Sequence, residues 1–205
     1  MKTKREKKTH DVFRKSTARL FIIAGNTPNE QITNGKDLII QAVDTMGGLH
    51  ATIIPKYTSR LSKEDDGNEM ICSCVFKKNK NGTYSISLPS GKKVSGDIVY
   101  ERNGHSYGFA SKEIWSGLKK GMFQVVVIND AETINKLRDT FGGLVVLIYV
   151  HSHNKEKKKD TDIEFKLFSE NFELFNHVLI YEDKNEDLYD QIFRLFKAYE
   201  KGFIN

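Results

Sequence analysis

The apolar positions of this chain change period several times, and each change marks an element. Leu20-Phe21-Ile22-Ile23-Ala24 is an unbroken apolar run closed by Gly25, the pattern of a strand buried on both faces that runs into a loop. Leu38, Ile39, Ala42, Val43 and Met46 then recur at helical spacing, and Gly47-Gly48 ends that helix. Strand, loop and helix in this order open a nucleotide-binding type of unit.

From about residue 51 to 109 the period falls to two, with turn signals at Asn81-Gly82, Ser90-Gly91 and Asn103-Gly104, so the stretch reads as antiparallel hairpins. Beyond it the alternation of helix and strand resumes. Helices are expected up to Lys120, over 131–140, over 162–174 and over 185–201, with strands at Gln124–Ile128, Leu144–Val150 and His177–Tyr181. This order predicts an α/β fold, a P-loop NTPase-like parallel sheet with helices on both faces and an antiparallel β-rich inserted subdomain. The expected division is a basic tail at 1–18 and one domain at 19–205. Within the domain, the core takes 19–55 and 110–205, the insertion 56–109, and a short lid 151–161.

Composition narrows this further. With 205 residues, 39% of them hydrophobic and 29% charged, the chain can bury a sizeable core. None of its apolar runs approaches the roughly 20 residues of a membrane span, and the basic N-terminus lacks the apolar stretch of a secretory signal. A cytoplasmic protein with no membrane partner is the expectation. Cys72 and Cys74, two apart in a β-rich stretch, share one face in poor geometry for a mutual disulfide, and are read as reduced thiols. The net charge of +5 is concentrated in Lys2, Lys4, Arg5, Lys7, Lys8, Arg14 and Lys15. A solvated tail explains these residues, and RNA contact by the tail is the alternative that composition leaves open.

The candidate chemistry begins where the first strand ends. In a P-loop, backbone amides cradle phosphates, a lysine reaches the terminal phosphates and a hydroxyl binds magnesium. Here Gly25 and Gly35-Lys36 bracket nine residues, Asn26 to Asn34, a wider spacing than the usual motif, and Asp37 stands at the hydroxyl position. Gly25 closes a buried strand and Lys36 opens a helix whose N-terminal amides favour an anion. Asp37 is open to two roles, magnesium ligand or helix cap. The whole segment is also open to a purely structural reading as a turn.

Two further segments carry a resemblance. Tyr57-Thr58-Ser59-Arg60-Leu61-Ser62-Lys63, followed by Glu64-Asp65-Asp66-Gly67, resembles the Thr-Thr-Arg-x-x-Arg segment of the guanylate kinase family with its acidic Asp-Gly continuation. Glu101-Arg102-Asn103-Gly104-His105-Ser106-Tyr107-Gly108-Phe109 resembles that family's Glu-x-x-Gly-x-x-Tyr-Gly-Thr segment. The likeness runs from about residue 20 to 200. It implies that Arg60, Lys63 and Tyr107 hold an acceptor phosphate, that Glu101 accepts hydrogen bonds from a base, and that Gly25, Gly35, Lys36 and Asp37 hold ATP and Mg2+. Lys36 is then the catalytic residue and Asp37 the metal ligand.

The departures are specific. Lysine at 63 keeps the charge but loses the bidentate fork of arginine. Phe109 replaces a hydroxyl residue, Val127 and Asn129 fall where the family has acidic residues, and no arginine lies between Arg138 and Arg194. Lys155, Lys157, Lys158 and Lys159 occupy the lid instead, as partial substitutes for arginine or as a solvated run, and His151 and His153 read as solvent-facing.

The leading expectation is thus a guanylate kinase-like nucleotide kinase that passes the γ-phosphate of ATP to a nucleoside monophosphate such as GMP. Two alternatives stand beside it. One is a kinase of a ribose phosphate acceptor, since ribose 1,5-bisphosphokinases resemble guanylate kinases and carry Gly-Lys-Asp, as Gly35-Lys36-Asp37 does. The other is a catalytically silent binding module.

Overall fold

A computed structural model of the chain describes residues 17–25, 51–61, 71–152, 166–181 and 185–204. Twelve strands, β1 to β12, lie among them in three sheets. The core sheet is parallel throughout, in the order β12-β11-β1-β10-β2, with β1 Leu20–Gly25, β2 Ala51–Ile53, β10 Phe123–Val127, β11 Val145–Ser152 and β12 His177–Tyr181. Strand β1 sits at its centre and is buried along its whole length. That is the reason its sequence is an unbroken apolar run rather than an alternation.

Period two divides the strand residues between two cores. Phe21 and Ile23 of β1, Phe123, Val125 and Val127 of β10, and Val146, Ile148 and Val150 of β11 face one side. There they meet α3 (Asn185–Glu200) through Leu188, Ile192, Phe196 and Tyr199, spaced as one helical stripe. The Phe21 ring stacks on Phe196 at 4.1 Å and meets Phe123 and Tyr199 edge-on. Leu20, Ile22, Ala24, Val126, Ile128 and Leu147 face the other side. They pack against Ile114 and Leu118 of α1 (Ser111–Lys119) and Ile134, Leu137 and Phe141 of α2 (Ala131–Phe141). Helix α2 starts where Asp130 accepts hydrogen bonds from Thr133 N (2.8 Å) and Thr133 Oγ1 (2.5 Å), an N-cap that satisfies an otherwise unpaired amide.

The residues between β2 and α1 build two smaller sheets. One has the order β4-β3-β9-β8, with β3 Lys56–Thr58, β4 Ile71–Ser73, β8 Ile98–Arg102 and β9 His105–Phe109. Its β3–β4 pair is parallel and its other pairs antiparallel. The other is the antiparallel meander of β5 Val75–Lys78, β6 Tyr84–Ser87 and β7 Lys93–Gly96. All three turn signals lie in connections between antiparallel strands, and at 103–104 both Asn103 and Gly104 take positive φ, as a two-residue hairpin loop requires. A satellite core of Tyr57, Cys74, Ile86 and Ala110 holds these sheets together.

The expected strands and helices agree with the described ones to within a residue or two, with two corrections. Within the stretch expected to be antiparallel, β2 joins the core sheet in parallel and β3 pairs parallel with β4. The helix expected over 162–174 is helical at 166–170 and passes at Asn171 into a short 3-10 turn, Phe172–Leu174. Asn171 donates from its amide to Phe168 O and from Nδ2 to Leu167 O, competing with the helical ladder at that point. The helix expected at 36–46, most of the basic tail and residues 153–161 of the expected lid lie outside the described residues. No described helix is long and apolar enough to cross a membrane.

Candidate functional site

In an open parallel sheet the crevice beyond the carboxyl ends of the strands is where ligands bind, above all where the chain order reverses. Here that point is the end of β1, flanked by β10 and β11. Gly25 closes β1 there, and a Cβ at this position would lie 2.3 Å from Val150 O of β11, so only glycine fits the approach. On its other side the Asn129 carboxamide holds the Gly25 backbone at two points. Gly25 N donates to Asn129 Oδ1 at 3.0 Å, and Asn129 Nδ2 donates to Gly25 O at 3.1 Å. Gly35, Lys36 and Asp37, the other residues named for the donor and the metal, lie outside the described residues.

A second cluster forms on the insertion, where β3 and β9 pair with Thr58 opposite Tyr107. The turn after β3 is pinned to β9 in both directions, because Ser59 N donates to Ser106 O and Ser106 N donates to Ser59 Oγ, each at 2.9 Å. Arg60 N donates to Thr58 Oγ1, which fixes the backbone of the next residue as well. The half-buried Arg60 side chain is thereby brought onto Tyr107, donating from Nε to the phenol oxygen at 3.3 Å. Tyr107 in turn stacks on Tyr100 of β8, with centroids 5.2 Å apart and planes 17° from parallel. Lys63 lies outside the described residues.

Glu101 does not join this cluster. Tyr100 pairs with Tyr107 and Glu101 with Ser106, so alternation sends Glu101 to the opposite face of the sheet from Tyr107. Its carboxylate accepts a 2.6 Å hydrogen bond from Ser106 Oγ there and is exposed. The other positions at which the resemblance implies base contacts are equally committed. Phe109 is fully buried in the core beneath α1, Val127 packs against the α3 side, and Asn129 is engaged with Gly25. His151, expected to face solvent, is half-buried at the end of β11 beside the Tyr149 ring.

Two polar ties that sequence reasoning did not find join the insertion to α1. Tyr57 donates its hydroxyl to Glu113 Oε2 at 2.8 Å, and burial together with that carboxylate holds the phenol protonated well above its ordinary range. Asp97, between β7 and β8, accepts hydrogen bonds from Ser111 N at 2.8 Å and from Ser111 Oγ at the start of α1. Cys72 and Cys74 are free thiols on one face as expected, and burial pushes the Cys74 thiol up to about 12. Among the described residues no cluster of three metal-ligating side chains occurs.

The fold defined by this sheet order and insertion has a counterpart among solved structures. The guanylate kinase from Anaplasma phagocytophilum matches with a TM-score of 0.59 over 89% of this chain and 86% of that chain, at 14% sequence identity. The chain therefore has a guanylate kinase-like fold. No family model matches it, and no curated protein matches it by sequence.

Proposed function

We propose that the protein is a phosphotransferase of the guanylate kinase type, which moves the γ-phosphoryl group of ATP onto the phosphate of a nucleoside monophosphate. The observation that carries this reading is the meeting of Arg60 with Tyr107. A cation from the turn after β3 and a phenol from β9 converge on one face of the insertion, where charge-assisted and neutral hydrogen bonds together suit an acceptor phosphate. In the reaction an oxygen of that phosphate attacks the γ-phosphorus, a new P–O bond forms, and the bond to the β-phosphate oxygen breaks to release ADP. Catalysis of this kind is positioning and charge stabilisation, so Arg60 and Tyr107 orient the acceptor while Lys36 reaches the donor phosphates. Magnesium, which would neutralise charge on the β- and γ-phosphates, is assigned to Asp37.

The committed state of the base-facing positions favours a second reading, an acceptor without a base. Glu101 faces away from Tyr107 and Phe109 is inside the core, so neither supplies a polar group to a guanine edge beside Tyr107. A ribose phosphate meets the same Arg60–Tyr107 pair and requires no base contact. ADP release with ATP and Mg2+, measured against GMP and ribose phosphates in parallel, separates the two readings. Lys36→Met should abolish release with either acceptor while leaving the melting temperature nearly unchanged. ATP-dependent release that survives Lys36→Met contradicts the donor assignment, and the absence of release with any acceptor returns the chain to a silent binding module.

A further inference from the structure

The Asn129–Gly25 contact does something that neither the fold nor the acceptor pair requires. The β1–β10 ladder ends when Ile128 N donates to Ile23 O at 2.9 Å, and Ile23 opposite Val127 is the last paired register. Gly25 lies beyond that end, and among the described residues its backbone neighbour in the sheet is Val150 of β11. On the β10 side its N–H and its C=O are both met by one side chain, 104 positions away, which reproduces the donor and acceptor of a peptide group. Only asparagine, among side chains of this length, offers both. Asp shares the shape but would set its charge against the Gly25 carbonyl.

Asn129 is itself tightly placed. Ile128 before it is buried and hydrogen-bonded to β1, and Asp130 after it caps α2, so the residue between them has little freedom to follow a moving partner. Gly25 has no side chain and tolerates none, because of Val150 O, so its peptide orientation is set from outside. We propose that Asn129 is a positioning residue for the nucleotide donor: its carboxamide holds the Gly25 peptide at the C-terminal end of β1 in the orientation the donor phosphates meet. At this position the side chain serves the scaffold and is not a direct ligand of the acceptor.

This inference rests on the phosphotransferase reading, and its test separates the two. Wild type, Asn129→Ala and Asn129→Asp are titrated calorimetrically with Mg-ATP and, separately, with GMP and with ribose phosphates, while hydrogen exchange is followed at the Gly25 amide. The expected result is faster Gly25 exchange in both variants, a loss of about tenfold or more in Mg-ATP affinity, and acceptor affinity within about twofold of wild type. A merely structural loosening lowers both affinities together, and that outcome overturns the inference. Unchanged Mg-ATP affinity in both variants overturns it too, with the phosphotransferase reading intact. Failure of wild type to bind Mg-ATP removes that reading and this inference with it.

Discussion

The parallel sheet and the inserted sheets are held together by different means. The sheet is covered on both faces, and its two cores draw buried side chains from α1, α2 and α3 and from all five of its strands. In the insertion only Tyr57, Cys74 and Ile86, with Ala110 beside them, form a satellite core; Ile98 and Phe109 reach into the core under α1, and polar contacts at Tyr57–Glu113 and Asp97–Ser111 complete the fastening. The sheet should therefore resist single polar changes and suffer from cavities, whereas the insertion should respond to the loss of single hydrogen bonds. This division suits the proposed transferase, in which the part that would place the acceptor must open locally at less cost than the part that would fix the donor.

The sharpest test of the contrast is Phe196→Ala, which leaves a cavity against Phe21, Phe123 and the β1 strand. It should cost about 3–5 kcal/mol of global stability by urea denaturation. A loss below about 1 kcal/mol would mean that the α3 side is not the stable core described here. Tyr57→Phe comes next. It leaves the satellite core nearly unchanged in volume but removes the donor to Glu113, at about 1–2 kcal/mol. Hydrogen exchange should quicken over 71–109 and stay at wild-type rates in β1, β10 and β11. Equal acceleration in the core strands would erase the distinction between the two regions.

A smaller effect belongs to His177, whose ring nitrogen pairs with the Tyr199 hydroxyl at 2.8 Å and whose pKa is lowered from 6.5 by burial. The unfolded chain then binds a proton that the folded chain disfavours. The stabilisation is complete above the ordinary histidine pKa and is lost as the pH falls through the lower folded value. His177→Gln removes the titrating group, so the drop in melting temperature between pH 7.5 and pH 5 should shrink. An unaltered pH dependence would exclude His177 as its source.

How much of this was legible in the sequence depends on the range of the interaction that decides it. Strands β1, β10 and β11 announced themselves because burial on both faces demands continuous apolar runs, and α2 and α3 because one buried stripe imposes helical spacing. Asn103-Gly104 identified its hairpin because few other pairs tolerate positive φ at both positions. Arg60 and Tyr107 were singled out by motif, though their contact depends on β3 pairing with β9 across 47 positions. What escaped depends on register. Glu101 and Tyr107 are six residues apart in sequence, but the hairpin register alone puts them on opposite faces. Asn129 showed in the sequence as a missing acidic residue, and nothing local could reveal that its carboxamide completes the ladder beside Gly25. The Tyr57–Glu113 tie likewise joins two segments whose meeting no pattern along the chain encodes.

The central claim is that Arg60 and Tyr107 form an acceptor-phosphate site in a donor-binding fold. Calorimetric titration of wild type and Arg60→Ala with GMP and with ribose phosphates, with and without Mg-ATP, tests it most directly. The account predicts saturable binding of at least one acceptor by wild type and a loss of about 1.5–3 kcal/mol in Arg60→Ala, with Mg-ATP affinity unchanged. Acceptor binding of equal strength in the two proteins, or none by wild type at millimolar concentration, would contradict it.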